Sequence, residues 1–186
     1  IKISIMIRRA SIRKDNPDMK DFFLDLLSDV FSTNQDDVNA SWDTLCDFLK
    51  DFRDDTWIFA ETDYVDKVYR DSYYHYYASK AGVYHRNCVK LSFFYGMGET
   101  PLPASLDVED VEYYQGNFGG FLILRPTLPA VIGRNAISPA ALKRSDFVSC
   151  LVGIETTVDG LKFTVEAFPA SSQDGETISC AETTFW

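Results

Sequence analysis

The sequence predicts an α+β fold in which N-terminal helices pack beside a mostly antiparallel sheet. In the first half of the chain, apolar residues recur every three or four positions, which is the spacing of amphipathic helices. In the second half they alternate with polar residues or form short apolar runs, a pattern typical of strands. Between two such alternating segments, Asp159-Gly160 supplies the positive φ that a tight antiparallel turn needs.

The chain opens with a strand signal that is followed by two helix signals. Isoleucines alternate with other residues over positions 1–7, which is the period of a half-buried strand. Residues 15–17, Asp-Asn-Pro, supply helix-starting side chains before a helical apolar pattern over residues 22–31. Asp36-Asp37 is predicted to cap a second helix, whose apolar stripe runs over residues 38–52.

Two further strands and a third helix are predicted before residue 96. Residues 56–60 are a short apolar run that we expect to form a buried strand. Thr62-Asp63 has the composition of a helix cap, and residues 65–77 carry apolar and tyrosine side chains at helical spacing. The tyrosines are interpreted as core residues with surface hydroxyl groups. Alternation over residues 83–95 predicts another strand.

A Gly- and Pro-rich loop at residues 96–103 is the best internal boundary. It divides the chain into a helix-rich portion, residues 1–95, and a strand-rich portion, residues 96–186. One continuous α+β domain would show the same shift in composition, so both organisations stay open. The strand-rich portion contains four strand signals, at residues 118–125, 131–137, 148–154 and 161–167.

The charge of the chain limits its partners. The net charge is -10, so the long-range field repels phosphate backbones and anionic lipid headgroups, and we expect neither nucleic-acid nor membrane partners. No segment approaches the roughly 18 consecutive apolar residues of a membrane span, and the start lacks a secretory signal. We therefore expect a cytoplasmic location and a protein or peptide as substrate or partner, with self-association as a further option.

The four cysteines are widely spaced and include no Cys-x-x-Cys pair, so the sequence predicts no zinc site. Cys46 and Cys150 lie in apolar periodic segments and are predicted to be small buried side chains. Acidic pairs such as Asp54-Asp55 lack the alternating carboxylates and central Gly of a calcium loop, and no phosphate-binding glycine motif occurs. We expect neither a metal ion nor a cofactor.

Cys180 is the sharpest functional signal in the chain. A polar loop leads to Ser179, a suitable helix cap, and Cys180 would then occupy the first helical turn. The partial positive charge of a helix N-terminus lowers the pKa of a thiol and raises its thiolate fraction. A nucleophilic cysteine needs this placement.

Gln173 and residues 180–186, Cys-Ala-Glu-Thr-Thr-Phe-Trp, resemble the nucleophile region of papain-like cysteine peptidases. The resemblance covers the last fourteen residues. It implies that Gln173 contributes to an oxyanion hole and that Cys180 is the nucleophile at the start of a papain-like central helix. Residues 64–74 and 120–126 also resemble segments of uncharacterised bacterial proteins that carry this Cys-Ala-Glu-Thr motif.

The family places its general-base histidine and the orienting Asn or Asp downstream of the cysteine. This chain ends six residues after Cys180, and its two histidines, His75 and His85, lie upstream. Because the chain also begins at Ile1 rather than Met, we expect a truncated chain whose catalytic histidine lies outside these residues. If the base lies within the chain, Cys180 and His85 would form a permuted dyad.

The leading hypothesis is a cysteine-dependent hydrolase that carries out peptidase-like acyl transfer. In it, Cys180 attacks an acyl carbonyl while Gln173 and the backbone N–H of Cys180 bind the oxyanion. The alternative is a non-catalytic protein–protein interaction domain of a larger bacterial protein, with the acidic helices and the Tyr-rich segment as its surface. An exposed aromatic patch would favour this alternative, and its candidate members are Tyr69, Tyr73, Tyr76 and Trp42.

Overall fold

The computed structural model describes residues 9–31, 34–80, 84–99, 101–144 and 150–171. These residues form an α+β fold, as the sequence predicts. The helices are α1 (Met19–Phe31), α2 (Gln35–Leu49), α3 (Lys67–His75) and α4 (Val111–Gly116). The strands are β1 (Arg9–Arg13), β2 (Trp57–Tyr64), β3 (Cys88–Phe94), β4 (Phe118–Leu124), β5 (Ile132–Ile137), β6 (Val152–Val158) and β7 (Leu161–Ser171).

All seven strands belong to one curled sheet with the order β1-β2-β3-β4-β5-β7-β6, and every neighbouring pair is antiparallel. Strands from both sides of the 96–103 loop take part, because β3 pairs with β4 along its length. The sheet curls so far that the turn between β6 and β7 returns to β1 and β2. There, Asp159 contacts both Arg9 and Glu61.

Helices α1 and α2 cover one face of the sheet. Successive side chains of the central strands point to opposite faces of the sheet, so every second one points toward these helices. Full burial of each such aliphatic or aromatic side chain contributes about 1.5–3 kcal/mol to folding. The buried residues at this helix–sheet contact include Phe23, Leu27, Trp42, Leu45, Ile58, Leu91, Phe93 and Leu122.

The opposite face is covered by α3, α4 and the returning β6–β7 hairpin. Phe163 of β7 is 1% exposed and packs against Phe94 and Phe118, with ring centroids 5.8 Å and 5.0 Å apart. The predicted tight turn is confirmed, since Asp159 and Gly160 have φ values of 51° and 82°. The turn is therefore of the type that matches the twist of the two flanking strands.

Two predicted helix starts are wrong by a few residues. The second helix is capped by Asn34, whose side chain accepts a 2.9 Å hydrogen bond from the N–H of Asp37, rather than by Asp36-Asp37. The third helix is capped by Asp66, because β2 continues through the predicted Thr62-Asp63 cap. Helix α4 was not predicted, since its short sequence contains no complete apolar stripe.

Most of the remaining strand predictions agree with the structure where residues are described, but the strand predicted over 148–154 is β6, which excludes residues 150 and 151 and continues to Val158. The apolar runs at 118–125 and 131–137 are β4 and β5, and the strand predicted over 83–95 is β3, which is shorter at its start. The strand predicted at residues 1–7 lies outside the described residues. Of the helices that the structure describes, none combines the length and the apolar character required to cross a bilayer.

Candidate functional site

One end of the sheet brings together several buried polar side chains, and we call it the α3 end. It comprises the last residues of β2 and β7, the first residues of β3 and β5, and the start of α3. Tyr64 pairs with Cys88 at this end, and Ser171 pairs with Arg134. The last described strand therefore ends beside Arg134, two residues before Gln173.

A buried ion pair joins α3 to the sheet at this end. Arg134 Nε lies 2.5 Å from Asp66 Oδ2, and the Asp66 side chain is only 3% exposed. The other oxygen of Asp66 accepts a 2.9 Å hydrogen bond from the N–H of Tyr69 and so caps α3. The guanidinium also lies over the ring of Phe121, 5.3 Å from its centroid. Both carboxylate oxygens of Asp66 therefore have a partner, one in the Arg134 guanidinium and one in the Tyr69 N–H.

Lys90 is a fully buried amine inside the curl of the sheet. Its Nζ donates two 2.7 Å hydrogen bonds, to Thr156 Oγ1 and to the carbonyl oxygen of Thr157. The rings of Tyr64 and Phe121 each lie 5.2 Å from the same nitrogen. Burial lowers the pKa of Lys90 to about 8, although the nearby Glu61 carboxylate acts in the opposite direction.

Glu61 is the cross-strand neighbour of Lys90. Its Oε1 accepts a 3.0 Å hydrogen bond from the backbone N–H of Asp159, whereas Oε2 is buried without a hydrogen-bond partner among the described residues. Burial raises the pKa of Glu61 above its ordinary value. The interior thus holds a carboxyl group and an amine whose environments both favour their neutral forms.

Asp159 connects three parts of the chain at the tip of the β6–β7 hairpin. Its Oδ1 lies 2.6 Å from Arg9 of β1, and its side chain is 2% exposed. Its Oδ2 accepts hydrogen bonds from Ser105 Oγ at 2.8 Å and from the N–H of Leu106 at 2.7 Å. These contacts hold the tip against β1 and the loop before α4.

The sequence-predicted catalytic residues are only partly within the described chain. Cys180 and Gln173 lie outside the described residues. His85 lies three residues before β3, at the α3 end, and its backbone carbonyl accepts a 2.8 Å hydrogen bond from the hydroxyl of Tyr69. Within the described ranges, neither the His85 nor the His75 imidazole hydrogen-bonds another side chain.

The burial of two cysteines was predicted wrongly. Cys46 and Cys150 are exposed, whereas Cys88 is buried. Cys46 lies beside the apolar stripe of α2, one residue past Leu45, and a shift of one residue on a helix turns the side chain by about 100°. Burial raises the pKa of the Cys88 thiol and so disfavours the thiolate form that a nucleophile requires.

The four aromatic residues of the interaction hypothesis do not form an exposed patch. Trp42 packs against Phe23 in the helix-covered core and is 8% exposed, and Tyr69 is 2% exposed. Tyr73 and Tyr76 are half-buried against the opposite face of the sheet. The tyrosines of α3 are therefore mainly packing residues, as the helical spacing predicts.

The acidic pair Asp54-Asp55 has protein partners. Asp54 forms ion pairs with Lys14 at 3.1 Å and with Lys143 at 2.8 Å. Asp55 forms a bidentate ion pair with Arg53. In the parts of the chain that the structure describes, no group of three or more His, Cys, Asp or Glu residues is placed to hold a metal ion. The described geometry therefore indicates surface ion pairs at these positions.

Several polar residues of the interior carry no functional signal in the sequence analysis, among them Glu61, Lys90, Arg134 and Asp159. A signal was present for Lys90, because it interrupts the apolar sequence of β3, Cys-Val-Lys-Leu-Ser-Phe-Phe. A charge in such a run must be buried with a partner. The partner could not be found from the sequence, since Thr156 is 66 residues away.

Comparison with other proteins adds no assignment. No protein-family model, curated protein or solved structure matches this chain.

Proposed function

We propose that the protein is a cysteine-dependent hydrolase with Cys180 as its nucleophile. The observation that carries this proposal is the Gln173 and Cys180 motif, which follows β7 directly along the chain. In the reaction, the Cys180 thiolate attacks an acyl carbonyl carbon, and Gln173 with the Cys180 N–H stabilises the oxyanion. The base returns the thiol proton to the leaving group, and water then hydrolyses the thioester.

The topology of the sheet supports His85 as a candidate base within the chain. Ser171 and the His85 loop both lie at the α3 end, with β7 and β3 separated by two intervening strands. Three strand spacings amount to about 15 Å. The nine residues from Ser171 to Cys180 can span up to about 30 Å when extended, so their length permits contact with His85. A histidine downstream of residue 186 is the competing candidate.

The test is the alkylation rate of Cys180 as a function of pH, with Cys180→Ala used to assign the signal. We expect an apparent pKa clearly below the value of about 8.5 for a free thiol. His85→Gln removes this depression if His85 is the base, and His75→Gln is the matched control. A depression that survives both changes points to a downstream histidine. A pKa at or above that of a free thiol contradicts the hydrolase proposal.

The acidic surface of α1 and α2 favours a second candidate, a protein-interaction domain for a basic partner. These two helices contain seven aspartates and one lysine, and Asp21, Asp25 and Asp29 follow one another at four-residue spacing on the exposed side of α1. A cationic partner is attracted to such a surface. The test is the binding of a fluorescein-labelled octalysine peptide. We expect the triple change of these three residues to Asn to weaken binding, and unchanged affinity would contradict the proposal.

A further inference from the structure

Among the described residues, strand β6 lies at an edge of the sheet and pairs with β7 alone. In a two-residue hairpin of this turn type, the flanking residues Val158 and Leu161 exchange backbone hydrogen bonds with each other. Every second residue before Val158 therefore bonds to β7, and the residues between them direct their N–H and C=O groups away from it. The outward position of the Thr157 carbonyl agrees with this, since it accepts the hydrogen bond from Lys90.

The outward backbone groups of Gly153 and Glu155 are open. Both residues are exposed, and neither backbone forms a hydrogen bond on the side away from β7 within the described part of the chain. Unpaired groups along an edge strand are a template for the addition of another strand. The open stretch offers two N–H groups and two carbonyl groups, which matches an extended segment of four or five residues.

The side chains along this edge define the partner. Val152 is 49% exposed, and the half-buried Ile154 lies on the same face of the strand. On the other face lie Glu155 and, on β7, two exposed charged residues, Glu166 opposite Gly153 and Lys162 opposite Thr157. An added strand therefore meets apolar side chains on one face. On the other it meets two carboxylates, with Lys162 nearer the turn.

We propose that the β6 edge binds an extended peptide of a partner protein by strand addition, with Lys or Arg facing Glu155 and apolar residues packing on Val152 and Ile154. The charge of the edge and the net charge of -10 both favour a basic peptide. Pairing with a second copy of this chain is disfavoured, because it would bring two Glu155 carboxylates together on one face. The inference goes beyond the hydrolase proposal and requires no turnover.

The experiment measures fluorescence anisotropy of a labelled peptide, Gly-Val-Lys-Val-Lys-Val-Lys-Gly, with the Cys180→Ala protein. This variant separates binding from any hydrolysis, so a failure of either proposal leaves the other intact. We expect saturable binding that Gly153→Pro weakens at least tenfold, because proline removes the outward N–H and leaves the bonds to β7 in place. Glu155→Lys should weaken binding as well, and Glu112→Lys on α4 is the control with the same change in charge.

A second peptide, N-methylated at all six residues between the terminal glycines, tests the backbone pairing directly. It keeps all charges and side chains but has no N–H group to donate to β6 from those six residues on either edge, so we expect at least a tenfold loss of affinity. Equal binding of the two peptides would overturn the proposal, and so would an unchanged affinity of the Gly153→Pro variant with native circular dichroism. Absence of binding at millimolar protein, or loss of binding in the Asp21, Asp25 and Asp29 triple Asn variant alone, would also overturn it.

Discussion

Lys90 of β3 and Thr156 of β6 are hydrogen-bonded across the interior of the curled sheet, with 2.7 Å between Nζ and Oγ1. This bond, the bond to the Thr157 carbonyl and the contacts of Asp159 hold the hairpin over the opposite face of the sheet. The polar groups of the interior therefore determine how far the sheet closes.

Lys90 should make the free energy of unfolding depend on pH in the alkaline range. Its pKa is about 8 in the folded protein and 10.5 otherwise, so the unfolded chain binds more protons between these values. Stability must therefore rise with pH, by roughly 2 kcal/mol between pH 7.5 and 9.5. Urea unfolding of the wild-type and Lys90→Met proteins at several pH values measures this dependence. Cys88 and Tyr69 have raised pKa values, which lower the stability at high pH in both proteins. The difference between the two unfolding free energies therefore reports on Lys90 alone. A difference that is constant with pH would contradict the prediction.

Loss of one partner of the Arg134 and Asp66 pair should be strongly destabilising. Arg134→Met leaves a carboxylate that is 3% exposed without its charged partner, and we expect the unfolding free energy to fall by about 3 kcal/mol. Asp47→Ala is the matched control, because the Asp47 and Lys50 pair is solvent-exposed and its loss should cost less than about 1 kcal/mol. Chemical denaturation measures both, and equal effects would show that burial does not strengthen the interior pair.

Gly120 should be irreplaceable in β4. Its φ is 119°, and an added Cβ would lie 2.0 Å from the carbonyl oxygen of Ala136 in the neighbouring strand. Gly120→Ala must therefore displace backbone, and we expect a loss of at least about 2 kcal/mol. Gly116→Ala at the end of α4 is the control, since a Cβ there meets no atom within 4 Å. Similar melting temperatures for the two variants would be inconsistent with the geometry.

The exposure of the cysteines should be visible in thiol labelling. In the Cys180→Ala protein, we expect Ellman's reagent to modify Cys46 and Cys150 within minutes and Cys88 only after unfolding, because burial protects Cys88 and raises its pKa. Mass spectrometry of the labelled peptides identifies the sites. Rapid modification of Cys88 in the native protein would mean that β3 opens easily at the α3 end.

Local patterns predicted most elements but misplaced the starts of α2 and α3. A cap depends on which side chain reaches a free backbone N–H, and several polar residues precede each helix. Asn34 and Asp66 perform this role, although Asp36-Asp37 and Thr62-Asp63 have equally suitable compositions. The extension of β2 over Thr62-Asp63 reflects pairing of Tyr64 with Cys88, which no local signal encodes.

The candidate catalytic residues were available only from the sequence, because Cys180 and Gln173 lie outside the described residues. The structure adds the position of His85 at the α3 end, where β7 also ends. The open edge at Gly153 and Glu155 could not be predicted, because hairpin alternation does not reveal whether another strand follows on the outer side.

The sequence by itself determined the α+β class, the amphipathic helices and the Asp159-Gly160 turn, because these depend on residues within one or two turns of each other. Only the tertiary structure decided the strand order, the burial of Lys90 and the pairing of Arg134 with Asp66. The last two features join residues 66 and 68 positions apart, and their hydrogen bonds are strengthened because they lie in an interior that excludes water. Desolvation is a property of the assembled fold and has no local sequence pattern.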